Sequence, residues 1–401
     1  MTSKRHIAFL AGMFPAQQRG YIIDHSIGVI QNAADAYQKN VIAGLAQQDD
    51  VTAVVVNLPF ISAWPSSFKK AWFPAIADSE CGVPIEGRGF ANASLVRYFA
   101  RLISAFFGLR SGSAARADTI LVYSAHVPFM IAAVLAGRVF GRRQLAIIVL
   151  DLPEYMGAMG LAQKLFGGIN QTLFYRLIRS FDKVAVLTAA MIPRLGVDPA
   201  NAVVVEGIAT LGDRNAAPAD ASGGHSFLYT GTLALRYGIK ELVDGFRMVD
   251  RADAALWVCG AGEGADYVAA AAAADPRIRF FGQVDRSNAL ELQTQASFLI
   301  NPRRGNDEFV KYSFPSKVME YMASGTPVIM YHLPGIPADY DRHYLPIAAP
   351  GADGIAAALA AALAMPPADR AAMGRAAERF VREHKGPREQ VRKIVELLYC
   401  W

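Results

Sequence analysis

The apolar positions of this chain fall into two alternating series. Short β-branched or apolar runs, the pattern of buried strands, occur at "HIAFLAG" (6–12), "VTAVVVNLP" (51–59), "TILVYSAH" (119–126), "QLAIIVLDLPEY" (144–155), "FDKVAVLTAAM" (181–191) and "NAVVVEGI" (201–208). Between them lie stretches of helical periodicity: one reaching about Ala46, "LVRYFARLISAFFGLR" (95–110), and one from about 128 to 140. Residues 60–94, with Trp64, Trp72, Pro74 and Pro84, read as irregular. The alternation stops at "ATLGDRNAAPADASGG" (209–224), whose small and polar residues predict a linker. It then restarts, with strands at "SFLYTGTL", "AALWVCGAGEG", "RIRFFGQV" (277–284), "SFLINPRR" and "TPVIMY". Helices are predicted at "IKELVDGFRMV", 265–274, "ALELQTQA", the alanine-rich 352–365 and a final tract, 366–399.

Strands alternating with helices predict an α/β protein with parallel, doubly wound sheets. The expected organisation is an N-terminal Rossmann-like domain at 1–208, the linker at 209–224 and a C-terminal Rossmann-like domain at 225–380. A C-terminal helix follows at 381–401, with packing back on the N-terminal domain as one option. In such sheets ligands sit beyond the carboxyl ends of the strands, so the expected site is a cleft between facing strand ends.

Composition narrows this picture. With 401 residues, 53% hydrophobic and 19% charged, the chain has room for two or three buried cores and is not disordered. Cys81, Cys259 and Cys400 are too few and too far apart for a disulfide framework or a zinc site, which suits a reducing cytosol. Residues 1–200 carry 19 Lys and Arg against 12 Asp and Glu, so the net positive charge resides in the first half. No basic run with interleaved aromatics points to nucleic acid; an anionic membrane or substrate is the better reading, against a merely solubilising surface. The stretch 95–110 is read either as a membrane-surface helix with Arg97, Arg101 and Arg110 toward lipid heads or as a core helix with solvated arginines. The N-terminal apolar run reads as a first strand rather than a signal peptide, and no run reaches the ~18–20 apolar residues of a bilayer span.

Candidate chemistry concentrates in "KYSFPSKVMEYMASGTPVIMY" (311–331), where one acid, Glu320, interrupts an apolar helical pattern. Pro315 suits a first helical turn and Ser324-Gly325 a stop, predicting a helix over about 315–323. Its N-terminus, with Ser316 and Lys317, is suited to phosphate, and Glu320, one turn on from Ser316, to a ribose diol. The bland alternative is a surface acid paired with Lys317. "GAGEG" (260–264) after a strand allows close approach of a nucleotide, but the following strand ends "FFGQV" without an acid, which disfavours NAD. Arg236, in "YTGTLALRYGIKEL", is a candidate phosphate clamp.

Through "YTGTLALRYGIKELVDGF", "LWVCGAGEG", "RIRFFGQV" and "NPRRGNDEFVKYSFPSKVMEYMASGTPVI", about residues 225–335 resemble the retaining glycosyltransferases of family 4, which have the GT-B fold. The resemblance implies a metal-independent enzyme moving a sugar from a nucleotide diphosphate to a glycan or lipid-linked acceptor, with retention, in cell-surface polysaccharide biosynthesis. No cofactor is implied beyond the nucleotide-sugar co-substrate, and no nucleic-acid partner. It further implies a cytoplasmic location, at the inner membrane face as one option, with peripheral membrane association through an acceptor-binding N-terminal domain. By the same resemblance Glu320 holds the ribose, Ser316 and Lys317 lie in the diphosphate turn, and Gln283 and Val284 fall where the base is read. Gly231 and Arg236 match the phosphate loop, and His126 the histidine that touches the donor sugar. Gly260, Gly262, Tyr312 and Ser313 complete the donor side; Gly20 and Asp151 are assigned to the acceptor side. Tyr312 stands where the family has the first glutamate of E-x7-E, Thr232 and Tyr237 replace common basic residues, and Arg19-Gly20 stands for a double glycine. The alternatives are a sugar-nucleotide epimerase, an inverting transferase of the same fold, or a non-catalytic nucleotide-sugar-binding subunit.

Overall fold

The structure is a computed structural model that describes residues 4–28, 30–94, 96–155, 161–209, 225–305 and 308–399. The chain divides into two units, Met1–Ile208 with Pro387–Trp401, and Ala209–Gly386. Apart from Ala209, the predicted linker lies outside the described residues.

The first unit is built on strands β1 (Arg5–Ala11), β2 (Val51–Asn57), β3 (Trp72–Phe73), β4 (Ala77–Glu80), β5 (Val83–Gly87), β6 (Phe90–Ala91), β7 (Thr119–Tyr123), β8 (Gln144–Val149), β9 (Lys183–Val186) and β10 (Ala202–Val204). Eight of them form one sheet in the order β10-β9-β8-β7-β1-β2-β5-β4, and β3 pairs with β6 in a separate ribbon. The apolar runs are central because both faces are covered: Ile7, Phe9, Val55, Leu121 and Ile148 are all buried. The sheet is parallel except at one edge, where β4 runs antiparallel to β5. That edge corrects the irregular reading of residues 60–94. "ADSE" and "VPIEG" are short, half-exposed and interrupted by proline, so they lack the apolar run that marks a buried strand.

The final tract is two helices, Pro367–His384 and Pro387–Tyr399, so residues 381–384 close the first of them rather than opening a separate one. The second helix lies in the core of the first unit, where Val391, Ile394, Val395 and Leu398 join Val41, Ile42 and Leu45 of the helix Asn32–Ala46. Gly44 permits this approach: a Cβ there would stand 2.3 Å from the Pro387 carbonyl oxygen and 2.3 Å from Val391 Cγ2.

The second unit has strands β11 (His225–Thr230), β12 (Ala254–Cys259), β13 (Ile278–Gly282), β14 (Phe298–Asn301), β15 (Val328–Met330) and β16 (Leu345–Pro346). They form an all-parallel sheet in the order β13-β12-β11-β14-β15-β16. Each sheet therefore has a point where chain order reverses, between β1 and β7 in the first unit and between β11 and β14 in the second. Crevices at such points, beyond the carboxyl ends of the strands, are where open α/β sheets bind ligands.

Candidate active site

In the second unit the reversal point lies beside Thr230, which ends β11, and Asn301, which ends β14. The helix bearing Glu320 runs over Ser316–Ala323. Val318, Met319, Tyr321 and Met322 bury one side of it, which is why the segment is helical despite its short length. Pro315 sits at the cap position with ψ 109°, one residue before the first turn where the sequence placed it, and its carbonyl accepts from Val318 N–H at 2.9 Å. Gly325, at φ +76°, lets the chain leave the helix. Among the described residues no side chain caps the N-terminus, and Ser316 is exposed there.

Glu320 is held from two sides. Lys317 Nζ and Gln293 Nε2 each donate to Glu320 Oε1 at 2.7 Å. The side chains of Lys317 and Glu320 are 39% and 24% exposed, so the pair is reachable from solvent. Gln293 is fully buried, and its Nε2 also lies 3.3 Å from Thr230 Oγ1. Thr326 Oγ1 donates to the Gln293 carbonyl at 2.7 Å. Tyr321 OH accepts from Thr230 N–H at 2.8 Å and donates to Thr230 O at 3.0 Å, so the helix is tied to the end of β11. Burial alone would raise the Glu320 pKa; Lys317, the Gln293 amide and Arg286 outweigh it and hold the carboxyl below its usual value. The group is a fixed carboxylate at neutral pH, with Oε1 engaged and Oε2 making no bond among the described residues.

The glycines of the neighbouring loops serve packing. A Cβ on Gly260 would stand 1.8 Å from Gly231 O, and one on Gly262 2.7 Å from Leu233 O. Gly231 N–H donates to Cys259 O at 3.0 Å, and Gly264 N–H to Leu233 O at 2.7 Å. The close approach that "GAGEG" permits is thus to the 231–235 loop. Arg236 is exposed, 5.0 Å from the centre of the Tyr237 ring. The same ring lies 5.2 Å from the guanidinium of Arg303, which also bonds Ser313 Oγ at 3.1 Å. Sequence reasoning passed over Arg303 and Gln293. The signal for Arg303 was the basic pair directly after β14; none marked Gln293, whose helix Arg286–Gln295 is polar overall. Tyr312 ends a turn over Glu308–Tyr312 with Lys311 Nζ 5.0 Å from its ring. Gln283 and Val284 follow β13, the first exposed and the second half-buried.

In the first unit the loop after β1 is pinned by side chains. Gln38 Oε1 accepts from Gly12 N–H at 2.6 Å, Asn57 Oδ1 from Met13 N–H at 2.9 Å, and Asp35 Oδ1 from Phe14 N–H at 2.7 Å. Gly20 follows in the helix Arg19–His25, with open space where a Cβ would go, so no steric demand explains it. Beyond β7, Ser124 adopts φ +70°, unusual for a side-chain-bearing residue, and leads into His126 at the cap of the helix Val127–Val134. The His126 ring packs against Phe129 at 4.5 Å and Phe60 at 5.3 Å, and its Nδ1 has no partner among the described residues. Burial, with Arg101 and Arg97 nearby, holds its pKa well below the usual histidine range, so it is neutral. Asp151 is exposed beyond β8, and no hydrogen bond joins it to His126 or Gly20. Among the described residues no three His, Cys, Asp or Glu side chains converge as metal ligands would.

Residues 224–365 match the family described as glycosyl transferases group 1. That region, about a third of the chain, is a group 1 glycosyltransferase domain. Solved structures agree on its architecture. The chain resembles sucrose-phosphate synthase from Thermosynechococcus elongatus with 16% identity, 98% of each chain covered and a TM-score of 0.64. Anabaena Alr3699/HepE in complex with UDP aligns over 99% of this chain and 100% of its own, with 14% identity and a TM-score of 0.64. The lipopolysaccharide outer core galactosyltransferase WaaB, in its apo form, gives 14% identity, 98% and 99% coverage and a TM-score of 0.62. These place the chain in the GT-B fold. No curated protein matches its sequence.

Proposed function

We propose that this protein is a glycosyltransferase, that it takes a nucleotide-diphosphate sugar as donor, and that its second unit is the donor-binding unit. The observation that carries this is the Glu320 carboxylate, fixed through Oε1 by Lys317 and Gln293 with Oε2 uncommitted, one turn inside an uncapped helix N-terminus. A ribose diol offers two O–H donors to such a carboxylate, and a diphosphate finds N–H groups, Ser316 and the Lys317 ammonium at the helix tip. Binding then exchanges partners: Lys317 turns from Glu320 to phosphate while the ribose takes its place. Arg236 and Arg303 supply further cations on the neighbouring loops. UDP and UDP-glucose are bound in the Anabaena Alr3699/HepE structures, which makes uridine nucleotides the first donors to test.

The chemistry we propose is sugar transfer with retention to a glycan or lipid-linked acceptor, serving cell-surface polysaccharide synthesis. The bond from the sugar anomeric carbon to the diphosphate breaks, the acceptor oxygen bonds the same carbon from the leaving-group face, and the acceptor proton passes to the departing diphosphate. Charge develops on that diphosphate, so fixed cations and N–H groups around it act where stabilisation counts most. No protein nucleophile and no metal enters this scheme. To the first unit we assign the acceptor, with neutral His126 as a hydrogen-bonding group for sugar hydroxyls.

The test is a thermal-shift screen of the purified chain against UDP, GDP, TDP and their sugars, followed by release of nucleotide diphosphate from the best donor with and without a chelator. A ligand bound to the native state raises its apparent stability. A shift with a diphosphate but not with the nucleoside, and chelator-insensitive release, is the expected result. A new sugar nucleotide formed from donor alone would instead identify an epimerase, and binding without turnover across donors and acceptors a non-catalytic subunit.

A further inference from the structure

Beyond the carboxyl ends of β2 and β7 the first unit holds a buried cation with no acid to balance it. Arg101, on the helix Val96–Leu109, is 3% exposed. Its Nη2 donates to the Pro59 carbonyl, and its guanidinium lies 4.5 Å from the centre of the Phe90 ring and 5.5 Å from that of Phe60. Nε and Nη1 make no hydrogen bond among the described residues, and no described acid forms an ion pair with the group. The stretches that surround it, 51–77, 87–117 and 119–150, contain no Asp or Glu. Burial, with Arg97 one turn earlier, pulls Arg101 down to about 9, so it is still charged at neutral pH. Arginines buried to this degree are ordinarily paired, because an uncompensated charge away from water is costly.

The groups around Arg101 belong to the reversal point of the sheet. Phe60 seats on the loop after β1, where a Cβ on Gly12 would stand 2.5 Å from its ring. The His126 ring lies 5.3 Å from Phe60 and 6.4 Å from Tyr98, nearly parallel to the latter at 15°. Arg97 lies 5.1 Å from the centre of the Tyr98 ring and makes no hydrogen bond among the described residues. Arg101 and Arg97 are the charges that act on the neutral His126, whose Nδ1 is buried without a partner among the described residues. The place thus combines a guanidinium fork with unused N–H groups, a neutral imidazole and aromatic faces on which the C–H groups of a sugar ring settle. We infer that the first unit recognises the carboxylate of an acidic sugar, a uronic acid, through Arg101, with His126 bonding a neighbouring hydroxyl. A carboxylate is planar, matches the guanidinium fork and brings one negative charge to one buried cation. A phosphate brings up to two.

The inference rests on the reading of the protein as a glycosyltransferase and names the class of its sugar, carried by the acceptor or by the donor. Two measurements on the full chain separate these sources. Saturation-transfer NMR compares glucuronate, glucose and glucose 6-phosphate as free sugars; a signal from glucuronate with glucose silent assigns the carboxylate to the acceptor. Thermal shift compares UDP-glucuronate with UDP-glucose and UDP; a larger shift with UDP-glucuronate assigns it to the donor. One of these two preferences is expected. Arg101→Met keeps the aliphatic stem and removes the fork, and should weaken the acidic ligand at least about tenfold, the equivalent of one hydrogen bond between charged groups. The shift with UDP should be retained, which shows that the variant folds. Arg101→Lys keeps the charge without the fork and should fall between the two. The wild-type comparisons require no variant, so they decide the matter even where Arg101→Met does not fold. No preference for the acidic sugar in either measurement, with the UDP shift present, would overturn the inference and leave the donor reading standing. Preference for glucose 6-phosphate over glucuronate, or acidic-sugar binding unchanged in Arg101→Met, would also overturn it. Absence of any nucleotide shift would count against the donor reading, while the free-sugar measurement still judges the crevice.

Discussion

Replacing Gln293 with leucine tests whether the Glu320 carboxylate is built for a ligand or for stability. Gln293 donates to Glu320 Oε1 at 2.7 Å and, more weakly, to Thr230 Oγ1 at 3.3 Å. A hydrogen bond to a charged group contributes about 1.5–3 kcal/mol. The same side chain leaves its own Oε1 buried without a partner among the described residues, at a cost of about 1–3 kcal/mol. Leucine is close in volume and removes both effects, so they offset and the stability of Gln293→Leu should lie within about 1 kcal/mol of wild type. Thr230 keeps its bonds to Tyr321, and the Thr326 bond to the residue 293 backbone is untouched. Affinity should respond differently. Glu320 would be oriented by Lys317 alone, the group that the diphosphate is proposed to draw away. Ordering a freed side chain on binding costs about 0.5–1.5 kcal/mol, which corresponds to roughly 2- to 10-fold weaker nucleotide binding. Chemical denaturation and titration calorimetry with the best diphosphate measure the two quantities on one preparation. Unchanged affinity at unchanged stability would show that Gln293 does not prepare Glu320 for the ligand; destabilisation well beyond about 1 kcal/mol would refute the offset.

Three further outcomes follow from other parts of the molecule. Lys317→Ala should lower turnover by roughly 10²–10³ with a smaller loss of nucleotide affinity, because it removes a donor where charge develops; equal turnover in steady-state assays would remove Lys317 from the chemistry. Gly44→Ala should destabilise the first unit by about 1–3 kcal/mol through overpacking against Pro387 and Val391, read as a lower denaturation midpoint with nucleotide affinity retained. His126 is held neutral in the native state, so below its ordinary pKa of about 6.5 the unfolded chain binds a proton that the folded chain refuses. Stability should therefore fall as pH drops below that value, with a contribution of at most about 1.4 kcal/mol per pH unit, and His126→Phe should flatten the fall; parallel pH profiles would contradict the burial argument.

The parts legible in the sequence were those whose signal is local. Buried parallel strands are apolar along their whole length, so both sheets could be read from runs such as "VTAVVVN" and "FLIN". Glu320 was legible because an acid in an apolar helix is anomalous, and its bond to Lys317 shows that the bland surface-pair reading and the ligand reading share one geometry. Arg101 went the other way: its spacing with Arg97 and Arg110 suggested a solvated stripe, whereas it is buried, bonded to the Pro59 carbonyl and 4.5 Å from the Phe90 ring. Gln293 was invisible because its role depends on contacts 27 and 63 residues away along the chain. "GAGEG" was seen, but glycine's permissiveness does not say what approaches, and here the neighbouring loop does.

Glu320 is proposed to receive the ribose of a nucleotide diphosphate. A double-mutant cycle measures it directly, with wild type and Glu320→Gln each titrated with the best ribonucleoside diphosphate and its 2′-deoxy and 3′-deoxy forms. Coupling is predicted: loss of a hydroxyl should weaken binding markedly in wild type and much less in the variant. Equal losses in both proteins would mean that the hydroxyls and Glu320 do not meet.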